Sequence, residues 1–136
     1  MIVSSKGRYA LRVMIDLAQH ENGDYIPLKE IASRQGISEK YLEAIIRIFV
    51  KNELLTGIRG KGGGYKLVRP ADQYTAWEIL SLAEEGLNPV SCIENGVVNC
   101  PRAGGCETLD MWREFDETVK NFFEKYTLAE LAGGNS

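Results

Sequence analysis

Residues 27–49 read PLKEIASRQGISEKYLEAIIRIF, and this stretch decides the fold. Pro27 suits the first position of a helix, where its missing N–H costs nothing. Leu28, Ile31 and Ala32 then fall on one face of a helix spanning about 27–34. Gly36 breaks that helix and can take the left-handed backbone that a sharp turn needs. Ser38 is a good N-cap for a second helix over about 39–52. Leu42, Ile45, Ile46 and Phe49 form its apolar side, with Tyr41 at the edge. Two short helices joined by Gln35-Gly36-Ile37-Ser38 make a helix-turn-helix pattern.

Upstream, Tyr9, Ala10, Val13, Met14, Leu17 and Ala18 recur at helical spacing, which predicts a helix over about 5–20. Asn22-Gly23 turns the chain after it. Downstream, Leu54–Ile58 and Tyr65–Val68 are short apolar runs on either side of Arg59-Gly60-Lys61-Gly62-Gly63-Gly64. They predict a β-hairpin, which after a helix-turn-helix is a wing. A helix over 75–85 follows, with Trp77, Leu80 and Ala83 inward. Residues 88–106 read as a loop, and 107–126 as a long final helix. The tail from Gly133 to Ser136 is expected to fray. The expected architecture is mainly α: a winged helix-turn-helix over 1–86, a loop over 87–106, and a dimerisation helix with a C-terminal segment over 107–132.

The net charge of −3 hides an asymmetry. Residues 1–69 carry 12 Lys/Arg against 7 Asp/Glu, and residues 70–136 carry 4 against 12. A basic front half can meet phosphates while an acidic back half stays away from them. The recognition helix should enter the major groove by its N-terminal end, so Ser38, Glu39, Lys40, Tyr41, Glu43 and Arg47 are the candidate contacts. Lys and Arg neutralise phosphates, whereas a carboxylate such as Glu43 can accept from the cytosine amino group. In the wing, Arg59 and Lys61 stand among glycines, with Gly62 and Gly63 following Lys61, and these let the backbone approach a duplex closely. RGKGGGY is not a phosphate-cradling loop of the Walker type, because no Gly-Lys-Ser/Thr follows and a strand comes next.

The last helix carries Trp112, Phe115, Val119, Phe122 and Tyr126, spaced as a heptad seam. That seam fits packing against a second copy, and a two-fold pair suits a pseudo-palindromic double-stranded DNA site. Neither a small-molecule substrate nor a membrane is expected as a partner. No apolar run approaches the roughly 18 residues that span a membrane. The start MIVSSKGRYALR lacks a signal-peptide layout, so the expected location is the cytoplasm.

Cys92, Cys100 and Cys106 all lie in CIENGVVNCPRAGGC, spaced C-x7-C-x5-C. In a reducing compartment, clustered cysteines point to metal ligation or redox sensing rather than structural disulfides. Three thiolates can hold an iron–sulfur cluster with a fourth, different ligand. The spacing is wider than the close pairs usual for zinc. Zinc and oxidisable thiols stay open as alternatives. A thiol enzyme is disfavoured, because the chain has no C-x-x-C, no second histidine and no nucleotide fingerprint. His20 reads as a surface imidazole at a helix end.

SSKGRYALR (4–12), QGIS (35–38), YLE (41–43), IRGKGGGY (58–65), the cysteine loop, MWREFD (111–116) and TLAEL (127–131) together carry a resemblance. The chain resembles the winged-helix regulators around the iron–sulfur cluster assembly regulator IscR, a group that includes nitric-oxide-sensing and cysteine-metabolism repressors. The resemblance implies a homodimeric repressor that controls cluster-biogenesis genes. It implies a [2Fe–2S] cluster, favoured over [4Fe–4S], on Cys92, Cys100 and Cys106. It implies that Glu43 takes part in discriminating DNA sites. The chain departs from that pattern at the fourth ligand. The histidine expected three residues after the last cysteine is Leu109, and the acid of the nitric-oxide sensors is Arg8. The first cysteine gap is two residues longer than the usual one. Glu107, Asp110 and Glu94 are the oxygen candidates for the vacant role.

Overall fold

A computed structural model describes residues 3–88, 90–94, 96–99 and 101–133. Its first three helices are α1 (Ser5–Gln19), α2 (Leu28–Gln35) and α3 (Glu39–Lys51). Ala10, Val13, Met14 and Leu17 of α1 meet Ile31 and Ala32 of α2, and Leu42, Ile45, Ile46 and Phe49 of α3, in one core. All are buried, and a fully buried Leu or Ile stabilises by about 1.5–3 kcal/mol. The turn between α2 and α3 is built as the sequence predicts. Gly36 sits at φ 66°, and its N–H donates to the Ala32 carbonyl at 2.9 Å. Ile37 is buried beneath the turn, and the Ser38 hydroxyl accepts from the Tyr41 N–H at 3.2 Å.

Pro27 is the N-cap of α2, not its first helical residue, with ψ 141°. The reason lies in the wing. Ile26 exchanges two backbone hydrogen bonds with Tyr65, at 2.8 and 2.9 Å, which keeps the chain extended up to Pro27. The wing itself pairs β1 (Leu55–Ile58) antiparallel with β2 (Gly64–Leu67), Leu55 opposite Leu67 and Ile58 opposite Gly64. Gly64 is required by close approach, since a Cβ there would lie 2.2 Å from the Ile26 carbonyl oxygen. Tyr74 supports the base of the wing. Its buried hydroxyl donates to the Leu54 carbonyl at 2.7 Å and accepts from the N–H groups of Val68 and Arg69 at 3.0 and 3.2 Å.

Helix α4 (Ala76–Ala83) is shorter than the predicted 75–85. Thr75 caps it, while Glu85 at φ 55° and Gly86 at φ 105° turn the chain away. Its buried side chains are Ala76, Ile79, Leu80 and Ala83; Trp77, expected inward, is half-buried. At the end of α4, Glu84 accepts from the Ser4 hydroxyl at 2.6 Å and so ties α4 to the start of α1.

The stretch expected to be plain loop contains a small hairpin, β3 (Ile93–Glu94) with β4 (Val97–Val98). Ile93 is buried, and β3 lies against α5 (Leu109–Glu124). The long final helix is also shorter than predicted. It ends at Glu124, and a separate α6 (Leu128–Leu131) follows. The break arises because the Tyr126 carbonyl accepts from Ala76 N–H at 2.8 Å, and Leu128 N–H donates to Tyr74 at 2.9 Å. Leu128 is thereby drawn into the core. Among the described residues, no helix is long and apolar enough to cross a membrane.

Candidate functional site

The outer face of α3 carries the predicted contact residues together. Ser38, Lys40, Tyr41, Glu43, Ala44 and Arg47 line one shallow depression, with Glu39 exposed beside them. A second cleft runs between α3 and the wing, lined by Glu43, Arg47, Val50, Gly57, Ile58, Arg59 and Tyr65. Glu43 and Arg47 therefore border both. Their side chains pair at 3.2 Å one helical turn apart, in solvent, which is worth only about 0.3–0.5 kcal/mol. Either group can release the other to a ligand at small cost.

At the wing tip, Gly63 N–H donates to the Gly60 carbonyl at 2.9 Å and closes the turn. Arg59, Lys61 and Gly62 are exposed there, and Gly62 lies at φ 78°. Arg59 and Lys61 form no ion pair within the described residues. Their charge is thus free to meet phosphate.

Behind this face lies a polar group that residue patterns alone did not reveal. Gln35, the last residue of α2, accepts from Arg12 Nε at 3.0 Å and donates its own Nε2 to Asp16 at 2.8 Å. Arg12 also donates to the Gln35 backbone carbonyl, where a cation suits the negative end of the helix dipole. Arg12 in turn stacks over Tyr9 at 5.2 Å, and Tyr9 meets Tyr41 edge to face at 5.8 Å. Through these contacts α1 holds both sides of the Gly36 turn. The available signal was Asp16 itself, an acid set among the apolar positions of α1.

Cys92 and Cys106 are half-buried free thiols, and Cys100 lies outside the described residues. The Asn99 N–H donates to the Cys92 carbonyl at 2.9 Å, closing the β3–β4 hairpin at its base. Hydrogen bonds from the Thr108 hydroxyl and backbone hold the Cys106 thiol below its ordinary pKa, which favours the thiolate that binds metals. As a donor set, thiols on one short loop fit a soft metal centre. The fourth-ligand candidates are exposed. Glu94 is on β3, Glu107 precedes α5, and Asp110 lies 4.0 Å from Arg113. Leu109 is buried at the start of α5, and Arg8 donates to Ser5 at 3.1 Å. Neither can serve as a ligand. Among the described residues, no three Cys, His, Asp or Glu side chains converge on one point.

Helix α5 buries only Leu109 among its own residues. Phe115, Phe122 and Tyr126 of the heptad seam are exposed, as is Met111, while Trp112 and Val119 are half-buried. Phe122, Phe123 and Tyr126 join Leu11, Ala76 and Leu131 around an apolar groove.

Comparison with known proteins gives concordant results. The family model described as Rrf2, iron-dependent transcriptional regulator, matches residues 3–134. The HTH-type transcriptional regulator IscR of Sodalis glossinidius is 38% identical over 131 residues, which cover 96% of this chain and 78% of the relative. The regulator of the same name from Yersinia pestis is 37% identical, covering 96% and 79%. Among solved structures, CymR, the global cysteine regulator of B. subtilis, superposes with a TM-score of 0.77 at 32% identity, over 98% of this chain and 97% of that one. IscR of T. potens gives 0.76 at 30% identity, over 100% and 89%.

Proposed function

The chain belongs to the Rrf2 family of transcription regulators, and on that premise we propose that it is a homodimeric repressor reporting iron–sulfur status through Cys92, Cys100 and Cys106. Its DNA-binding head spans residues 1–86, the sensing loop 87–106, and the dimerising segment 107–132. The observation that carries this reading is the position of the cysteine loop. It joins α4, which packs on α1 and α3 of the head, to α5, the helix with the exposed apolar seam.

Each part of the head has a task that follows from its chemistry. Helix α3 enters the major groove by its Ser38 end. Lys40 and Arg47 meet phosphates or guanine, and Glu43 accepts from a cytosine amino group. Glu39 and Tyr41 border the same groove. Arg59 and Lys61 on the wing reach the adjacent minor groove, whose narrow A·T tracts attract Arg. A second copy covers Phe115, Phe122 and Tyr126, and the two-fold pair of heads reads a pseudo-palindromic site.

Cys92, Cys100 and Cys106 would hold the cluster, [2Fe–2S] by preference, with Glu107, Glu94, Asp110 or a donor from outside the chain in the fourth position. Such a cluster supplies an oxidant-sensitive centre at the loop. Three thiolates and one weak ligand suit a sensor, which must lose its signal readily. Controlled genes of cluster biogenesis would then follow cluster supply.

The likeness to CymR favours a second reading, in which DNA binding follows thiol state or cysteine supply without a stable cluster. Iron, sulfide and zinc analysis with visible absorption, on anaerobically purified protein, separates the two. Iron and sulfide in equal amounts with visible absorption bands support the cluster. Neither metal, or zinc alone, contradicts it.

A further inference from the structure

Thr108 stands at the N-cap of α5 and does not cap it. Ser4, Ser38, Thr75 and Thr127 hold the same position on α1, α3, α4 and α6. Each of those hydroxyls accepts from the backbone N–H three residues on. That is the ordinary use of Ser or Thr at a helix start. The Thr108 hydroxyl is diverted. Its Oγ1 accepts from the indole Nε1 of Trp112 at 3.1 Å and lies 3.4 Å from Cys106 Sγ. An indole N–H can only donate, so it takes one lone pair and leaves the hydroxyl hydrogen for another acceptor. A sulfur engaged to a metal carries no hydrogen. Toward a ligating Cys106, therefore, Thr108 can only donate.

We propose that Thr108, oriented by Trp112, is a positioning residue whose hydroxyl hydrogen bond holds Cys106 Sγ as a cluster ligand. This deepens the cluster reading above and rests on it. The helix gives up a cap, and a sulfur on a half-exposed loop gains a fixed partner. Trp112 lies one helical turn along α5 from Thr108, so the bond is anchored to the helix rather than to the loop. Outer partners of this kind fix the orientation of first ligands, and losing one costs about 10–100-fold in metal affinity. The partner matters more here than in a site with four strong ligands.

The test compares wild type, Thr108→Val, Thr108→Ser and Trp112→Phe after anaerobic reconstitution. Iron and sulfide content is measured first, then the decay of visible absorption in a ferrous chelator, with the thermal midpoint of each cluster-free protein as a check on folding. Thr108→Val keeps the shape without the hydroxyl and should lose the cluster on the order of 10-fold faster. Thr108→Ser should decay as wild type does. Trp112→Phe, which keeps a ring without the N–H, should fall between them and decides the matter if Thr108→Val fails to fold. Equal decay of wild type and Trp112→Phe together with Thr108→Val, where it folds, overturns this inference and leaves the cluster reading standing. So does Thr108→Ser decaying as fast as Thr108→Val. A wild type that assembles no cluster overturns both.

Discussion

The Arg34 guanidinium meets the Asp16 carboxylate edge to edge, Nη2 to Oδ1 at 2.8 Å and Nε to Oδ2 at 3.0 Å. Asp16 is fully buried, and Gln35 Nε2 donates to it as well. Arg34 and Gln35 are the last two residues of α2, just before the Gly36 turn. A buried charge on α1 thus anchors the end of α2, just before the turn that leads to the Ser38 cap of α3. Such pairs seldom add net stability, but a broken one leaves a charge stranded.

Arg34→Ala, which strands the buried Asp16 carboxylate, should therefore destabilise the fold by about 3–5 kcal/mol, read from denaturant unfolding. The same carboxylate predicts a pH dependence. Burial alone would raise its pKa; the Arg34 and Gln35 hydrogen bonds and the Arg34 charge outweigh burial and hold it below the usual carboxylate range. A carboxylate depressed on folding contributes stability that is complete above its unfolded pKa. That contribution should be lost as the pH falls from the ordinary Asp range through the folded value. In Asp16→Asn this acid-side loss should be smaller, as a pH series of unfolding midpoints will show.

Arg59→Ala should weaken DNA binding on every sequence tested. It should also lower the slope of log affinity against log salt by about one, since one phosphate-neutralising cation is gone. Fluorescence anisotropy at several salt concentrations checks both effects. Loss of affinity on a single sequence alone would instead make Arg59 a base reader.

Glu43→Ala should act differently. Removing a carboxylate from the helix proposed to face phosphates should raise affinity for non-cognate DNA. Discrimination at one base pair should fall by about 1–3 kcal/mol. The change frees Arg47 from its 3.2 Å pairing, so some of the gain is non-specific. Binding to a panel of single-base variants decides. An unchanged order of preference removes Glu43 from the recognition role.

Phe122→Glu should shift the protein toward monomer in sedimentation experiments while its helical content stays that of the parent. Phe122 is 46% exposed and lies beside the apolar groove, so a charge there costs little in an isolated chain. Buried against a second copy, the same charge is expensive.

Much of the head was legible because its signals are local. Gly36 and Ser38 fix a turn and a cap, and the glycine run fixes a hairpin. The losses occur where distant residues intervene. The pattern of the last helix runs on through Tyr126, but Tyr74 and Ala76 capture the backbone there, and Thr127 starts α6. Thr127 followed by Glu130 is a capping-box spacing, the local mark of that second start. The β3–β4 hairpin has two-residue strands, too short for an alternating pattern. Ile93 is buried and β3 lies against α5, a long-range contact that no local pattern marks. The diversion of Thr108 from its cap depends on Trp112, a turn further on, and no local rule announces it.

The claim that the cysteine loop governs the head is tested most directly by DNA affinity. Anaerobically purified, cluster-bearing protein and its Cys92→Ala variant should be titrated on several promoters. A coupling of ordinary size predicts that the two forms differ by about 5–150-fold on at least one promoter, or rank the promoters differently. Identical affinities and an identical ranking on every promoter would contradict it.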